Sequence, residues 1–259
     1  MDLGITGRKA IVCASSRGLG KACARALAEA GCEVIINGRD AKTLNATAAE
    51  LGNITGGKIV PVVADVSTAE GQKALFAACP QPDILVNNNA GPPPRDFREL
   101  SRQMMLEGAT ANMVVAIELI QKVIDPMIQR KFGRIINITS GAVKAPLAGL
   151  DLSSGARAGL TAFCAGVARS VADKNVTINS ILPGAFDTDR LRSMLSKASE
   201  KTGKSITQVA ADRMATIPAR RFGDPAEFGA ACAFLCSAQA SYITGQNLLI
   251  DGGFFPGAF

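Results

Sequence analysis

The sequence predicts an α/β chain folded as one doubly wound, parallel, seven-stranded sheet. Three observations carry this. Short β-branched runs alternate with amphipathic stretches along all 259 residues, the pattern of successive βαβ units. A glycine-bearing turn follows the first run and opens the first amphipathic stretch. No repeat, low-complexity tract or linker divides the chain, so residues 1–259 read as a single domain, and roughly 250 residues is an ordinary length for one such unit.

The elements follow in order. Residues 9–13 (Lys9-Ala10-Ile11-Val12-Cys13) form a strand. A helix over 18–30 places Leu19, Cys23, Leu27 and Ala30 on one face. A strand over 33–36 precedes a helix over 41–51. Strand 58–63, helix 69–78 and strand 83–87 come next. One long helical region spans 98–131. Strand 134–138, helix 153–171 and strand 176–182 continue the rhythm, and 248–250 is the last strand. Right-handed crossovers then put helices on both faces. Residues 187–221 break the alternation with two helical stretches, 190–201 and 206–214, and no strand between them. They follow the carboxyl end of a strand, where open α/β sheets bind ligands, so a helical lid is expected there.

Composition excludes several chemistries. The chain has no His, no Trp and one Tyr, Tyr242. Without His there is no Ser-His-Asp triad and no His-ligated metal, and no metal site is expected. The seven cysteines include no CxxC pair and read as reduced thiols, mostly core, of a cytoplasmic protein. No apolar run approaches the roughly 18–20 residues that span a bilayer, and the N-terminus lacks a signal pattern. Lys and Arg number 28 against 22 Asp and Glu, a net charge of +6. No basic cluster interleaves with aromatics, so an anionic small molecule is expected rather than nucleic acid.

The turn reads Ala14-Ser15-Ser16-Arg17-Gly18-Leu19-Gly20. Glycines at 18 and 20 permit close backbone approach, and the amides of a helix start face an anion. In a strand-turn-helix-strand context this is a dinucleotide site. NAD sites place a carboxylate at the tip of the second strand. Here that tip carries Asn37-Gly38-Arg39, and Arg17 lies in the turn. Two guanidinium groups suit a 2′-phosphate, which favours NADP(H) over NAD(H). Asp40 is expected to start or cap the next helix.

With these motifs the chain resembles the short-chain dehydrogenase/reductase family over its full length, in its β-ketoacyl carrier-protein reductase-like branch. The glycine turn is followed by Ala64-Asp65-Val66, Asn88-Asn89-Ala90-Gly91, Asn112, the run from Gly133 to Ser140, Pro183-Gly184 with Thr188, and Asp251-Gly252-Gly253. The resemblance implies a Rossmann-type fold, NADP(H)-linked redox chemistry on a small molecule, anionic or acyl-type, and a homotetramer built on the long helices. It implies cofactor contacts from Ala14, Ser16, Arg17, Gly18, Leu19, Gly20, Arg39, Asp65, Val66, Asn89, Ala90, Gly91, Pro183, Gly184 and Thr188. It puts Asn112, Ser140, Ser153 and Arg157 in the catalytic set.

Two positions depart from the family pattern. The turn opens Cys13-Ala14 where Thr-Gly is usual; the turn persists if the φ at Ala14 is negative. Thirteen residues after Ser140 the family has its proton-donating tyrosine, and four further on a lysine. Here those positions are Ser153 and Arg157. Tyr242 cannot substitute, because Gln246 rather than a lysine follows it. A serine hydroxyl is a poor general acid, and a guanidinium holds its proton. Three readings stay open: an oxidoreductase whose proton comes from water or from Asp151, a non-redox lyase-like enzyme, and an inactive cofactor-binding homologue.

Overall fold

Apolar side chains alternate along the central strands and split the core into two layers. Val12, Ile36, Val86 and Ile136 point to one face, where they pack with Leu27, Phe228 and Cys232. Ile11, Ile35, Leu85 and Ile135 point to the other, against Leu119, Val123, Leu160 and Cys164. A strand buried on both faces has this period of two without polar interruption. The computed structural model describes residues 2–258.

The chain runs β1 (Lys9–Val12), α1 (Gly18–Glu29), β2 (Glu33–Gly38), α2 (Ala41–Thr55), β3 (Ile59–Val63), α3 (Ala69–Ala78) and β4 (Ile84–Asn87). It continues through α4 (Arg102–Ala109), α5 (Val115–Arg130), β5 (Gly133–Ile138), α6 (Asp151–Val171), β6 (Val176–Pro183), α7 (Asp189–Thr202), α8 (Ile206–Ala215), α9 (Pro225–Leu235) and β7 (Asn247–Ile250). The sheet has seven strands in the order β3-β2-β1-β4-β5-β6-β7, and every pairing is parallel. The predicted doubly wound sheet is therefore present in full. Strand order reverses between β1 and β4, which opens a crevice at their carboxyl ends.

Three sequence expectations are corrected. The single helix over 98–131 is interrupted: a 3-10 turn at Phe97–Glu99 precedes α4, and a π-turn at Thr110–Val114 separates α4 from α5. The apolar periodicity runs through this bulge, so the sequence pattern conceals it. The π-turn holds the buried Asn112, and such bulges occur where a fold must re-aim a side chain. Second, α9 was not foreseen. Its start has a clear signal: Asp224 and Glu227 form a capping box, with Pro225 at the first helical position. The helix is apolar on all sides, so it lacks the stripe that periodicity detects. It packs so closely on α1 that a Cβ at Gly229 would stand 2.4 Å from the Ala22 carbonyl.

The third correction concerns the turn. Ala14 has φ +45°, not the negative value its identity suggests. An L-residue in this left-handed region carries about 1–2 kcal/mol of strain. Surrounding contacts enforce it: Cys13 N donates to Val86 O at 3.0 Å and Ser15 N to Asn37 O at 2.8 Å.

Asp40 caps α2 by accepting from Thr43 N at 2.8 Å. All seven cysteines are free and buried. Arg134 is 1% exposed and serves the framework: its guanidinium donates to the carbonyls of Ser237, Gly133 and Asn175.

Replacing Ala14 by Gly removes the left-handed penalty and adds about 0.4–1 kcal/mol of unfolded-state entropy. The expected net is a stabilisation of up to about 1 kcal/mol, a Tm increase of about 1–3 °C by calorimetry. A Tm decrease would show that the turn is unstrained.

Candidate functional site

The crevice between β1 and β4 is set by contacts between backbones. At Gly20 a Cβ would lie 2.5 Å from the Ala14 carbonyl and 2.9 Å from Asn88 Nδ2, so only glycine fits. Asn88 Nδ2 itself donates to Ala14 O at 3.2 Å and ties the end of β4 to the turn. Gly18 has φ +60°. The α1 start has Arg17 in extended conformation and no side-chain cap. Its first amides are therefore left for an anion. Leu19 packs against the core and anchors the turn.

At the tip of β2, Asn37 is buried and donates through Nδ2 to the carbonyls of Val62 and Ala64. Gly38 sits against Ser16, with 3.1 Å from a notional Cβ to the Ser16 Cβ. Arg39 is exposed, and its Nη1 lies 3.7 Å from Asp65 Oδ2. Val66 is buried beside it. Arg17 and Arg39 are thus both presented at this end of the crevice. Asn89 donates to Ser67 Oγ at 3.0 Å and Ala111 O at 3.2 Å, and its Oδ1 accepts from Ala90 N. These bonds fix the segment that ends in Gly91.

At the other end Arg157 bonds to Ser153 and lines one cavity with Asn112. Ser140 follows β5 in extended backbone, and its Oγ accepts from Ala142 N at 3.1 Å. Ser153 and Arg157 lie one turn apart on α6. Arg157 Nε donates to Ser153 Oγ at 3.2 Å, Nη1 to Ile138 O at 2.7 Å and Nη2 to Asn89 O at 3.4 Å. The guanidinium is buried among neutral acceptors. Burial, and secondarily the charge of Arg190, pushes its pKa down to about 10 from 12.5. It still keeps its proton at neutral pH. Asn112 Nδ2 donates to Gly108 O at 3.2 Å, while its Oδ1 is buried without a partner. A cavity of about 20 Å³ borders Asn87, Asn112, Asn137 and Arg157. That volume suits one water, and the walls supply polar partners for it.

Pro183 ends β6, and Gly184 N donates to Ile250 O at 2.9 Å. Thr188 caps α7, and its Cγ2 lies 3.8 Å from a Cβ placed on Gly18. The segment leading into α7 therefore closes one side of the glycine turn. Sequence reasoning missed Arg190, on the first turn of α7. Its guanidinium reaches across the crevice: a Cβ at Gly91 would meet Arg190 Nη2 at 3.4 Å, Ser153 Oγ at 3.5 Å and Arg190 Nη1 at 3.6 Å. No spacing rule couples residue 190 to 153, so only the tertiary structure reveals the pair.

Other residues fall outside this cluster. Asp151 is the exposed first residue of α6, in keeping with a helix-start role. Lys144 Nζ lies 5.8 Å from the Phe255 ring centroid, which places the apolar tail beside the loop after Ser140. Tyr242 is fully exposed on the loop before β7. A cleft of about 910 Å³ follows α1 and α9 and borders the crevice around Gly18 and Thr188. Among the described residues, no helix is long and apolar enough to cross a membrane. Nor does any group of three or more Cys, Asp or Glu among them form a metal site.

The uncapped α1 start, the glycine contact at residue 20 and the arginines at 17 and 39 fit a dinucleotide. The comparisons agree. A family model described as Enoyl-(Acyl carrier protein) reductase matches residues 13–255. The NADPH-dependent reductase BacG of Bacillus subtilis (strain 168) is 32% identical over 251 residues, covering 95% of this chain and 97% of that protein. The 3-oxoacyl-[acyl-carrier-protein] reductase FabG of Aquifex aeolicus (strain VF5) is 31% identical over 259 residues, covering 98% of this chain and all of that protein, 100%. Among solved structures, the L-sorbose reductase of Gluconobacter frateurii complexed with NADPH and L-sorbose superposes with a TM-score of 0.94 at 27% identity. It covers 99% of this chain and 100% of that one. Fold, crevice and relatives converge, and the chain belongs to the short-chain dehydrogenase/reductase family.

Proposed function

We propose that the chain is an NADP(H)-dependent oxidoreductase that acts on a carbonyl or alcohol substrate without a phenolic proton donor. One observation carries this reading. The crevice has the glycine turn and Arg39 at one end, and at Gly91 it meets Ser153, which is bonded to the buried Arg157. Relatives named as NADPH-dependent reductases support the choice of cofactor.

Arg17, Arg39, Gly18, Gly20 and Thr188 would hold the cofactor, and when bound it supplies hydride to the carbonyl carbon. The chain's own residues then handle the oxygen. Ser140 and Ser153 hydroxyls orient it by donating hydrogen bonds. The Arg157 charge, desolvated and directed through Ser153, stabilises negative charge growing on it. Arg157 does not release a proton near neutral pH, since its pKa is about 10. The proton comes from water, and the small cavity between Asn112 and Arg157 gives one such molecule a place beside the site. Aligned with the family pattern, Ser153 and Arg157 occupy the tyrosine and lysine positions. Helices α7 and α8 cover the crevice as a lid. The exposed Phe97, Met105 and Leu106 around α4, with Phe163 on α6, form the faces on which four chains assemble.

A second reading has a specific basis. A buried cation bonded to Ser153 is also an oxyanion site for a lyase that uses no hydride.

Titration by the fluorescence of bound reduced cofactor should show NADPH binding at least tenfold tighter than NADH. Arg39→Glu should abolish the preference; binding of neither nucleotide would end the redox reading. The wild type should consume NADPH with some member of a carbonyl panel. If it consumes none, and Ser153→Tyr/Arg157→Lys gains that activity, the non-redox and inactive readings prevail. Light scattering at four times the chain mass checks the assembly, and a monomer would exclude it.

A further inference from the structure

Arg157 and Arg190 converge on one spot without a carboxylate to balance them. Arg157 is 7% exposed, and the charge that acts on it is that of Arg190, of like sign. Its hydrogen bonds go to two carbonyls and a hydroxyl. Arg192, two residues after Arg190 on α7, pairs with Asp187 at 3.0 Å and Asp189 at 3.7 Å. Arg190 pairs with no carboxylate among the described residues. Two guanidinium groups held near each other in a partly desolvated cleft repel. An anion between them converts that repulsion into two attractions.

We infer that this cleft selects a substrate bearing a carboxylate next to its reacting carbonyl, and that Arg190 is the specificity-determining residue. The inference rests on the proposed redox function and names its substrate class. The position of Arg190 separates this anion from the cofactor's phosphates. Thr188 faces Gly18 at the glycine turn, whereas Arg190 faces Gly91 and Ser153 across the crevice. Two N–H groups of Arg157 beyond its three bonds to protein acceptors, together with the planar fork of Arg190, match the two oxygens of a carboxylate. Ser153 has a shorter side chain than the tyrosine usual at its position in the family, and its Oγ stands with the Arg190 guanidinium against Gly91.

The test is calorimetric titration of NADP⁺-saturated protein with three- to six-carbon keto acids, each beside its methyl ester. At least one acid should bind about 10- to 100-fold tighter than its ester, the range of a charged hydrogen-bonded pair. Arg190→Gln should remove that selectivity while leaving NADPH affinity within twofold, and Arg190→Lys should restore part of it. Arg190 is exposed, so the variants fold; circular dichroism confirms this. If no acid outbinds its ester, the inference falls. It also falls if Arg190→Gln keeps the selectivity, or if it weakens NADPH as much as the acids, since Arg190 would then hold cofactor phosphate. Should the protein bind no nucleotide, the redox function fails alone. The same panel titrated without nucleotide then still decides whether the two arginines select a carboxylate.

Discussion

The close approach of α1 to the end of β1 governs the rest of this structure. Gly20 lies so near the Ala14 carbonyl that no side chain fits between them. This contact aims the first helix at the turn. Asn88 reaches the same carbonyl from β4. One carbonyl thus joins the two strands between which the sheet reverses its winding. The strain at Ala14 is tolerated because parallel-strand pairing on both sides of β1 determines where the turn must begin.

At the other end of the crevice a different constraint operates. The chain buries the Arg157 guanidinium among neutral oxygens. Hydrogen bonds satisfy part of its donor capacity, and its charge stays unneutralised. A group in that situation stabilises negative charge arriving from outside the protein more than any exposed arginine does, because little water competes. Ser153 beside it is neutral and small, and accepts from Arg157 Nε.

Much of the fold is legible in the sequence because parallel strands buried on both faces must be β-branched and apolar. Ile35-Ile36 and Ile84-Leu85-Val86 announce themselves for that reason, and Asp40 and the 187–221 excursion follow from capping and spacing rules. The misses have physical causes too. The π-turn at Thr110–Val114 leaves the apolar stripe continuous across it. Helix α9 is apolar on every side, so its capping box, not its periodicity, was the readable signal. The φ of Ala14 is imposed by neighbours on β2 and β4, and a side-chain preference for negative φ does not outweigh them.

The candidate site divides the same way. Local rules determined the glycine turn with Arg17, Arg39 at the β2 tip, Ser140 at a strand end and the one-turn spacing of Ser153 and Arg157. These depend on residues near one another in sequence, where steric and hydrogen-bonding preferences act directly. The burial of Arg157, its bonds to Ile138 and Asn89, the cavity beside Asn112 and the arrival of Arg190 belong to the tertiary structure alone. Each depends on where separate βα units place their ends, and that is set by packing summed over the whole sheet.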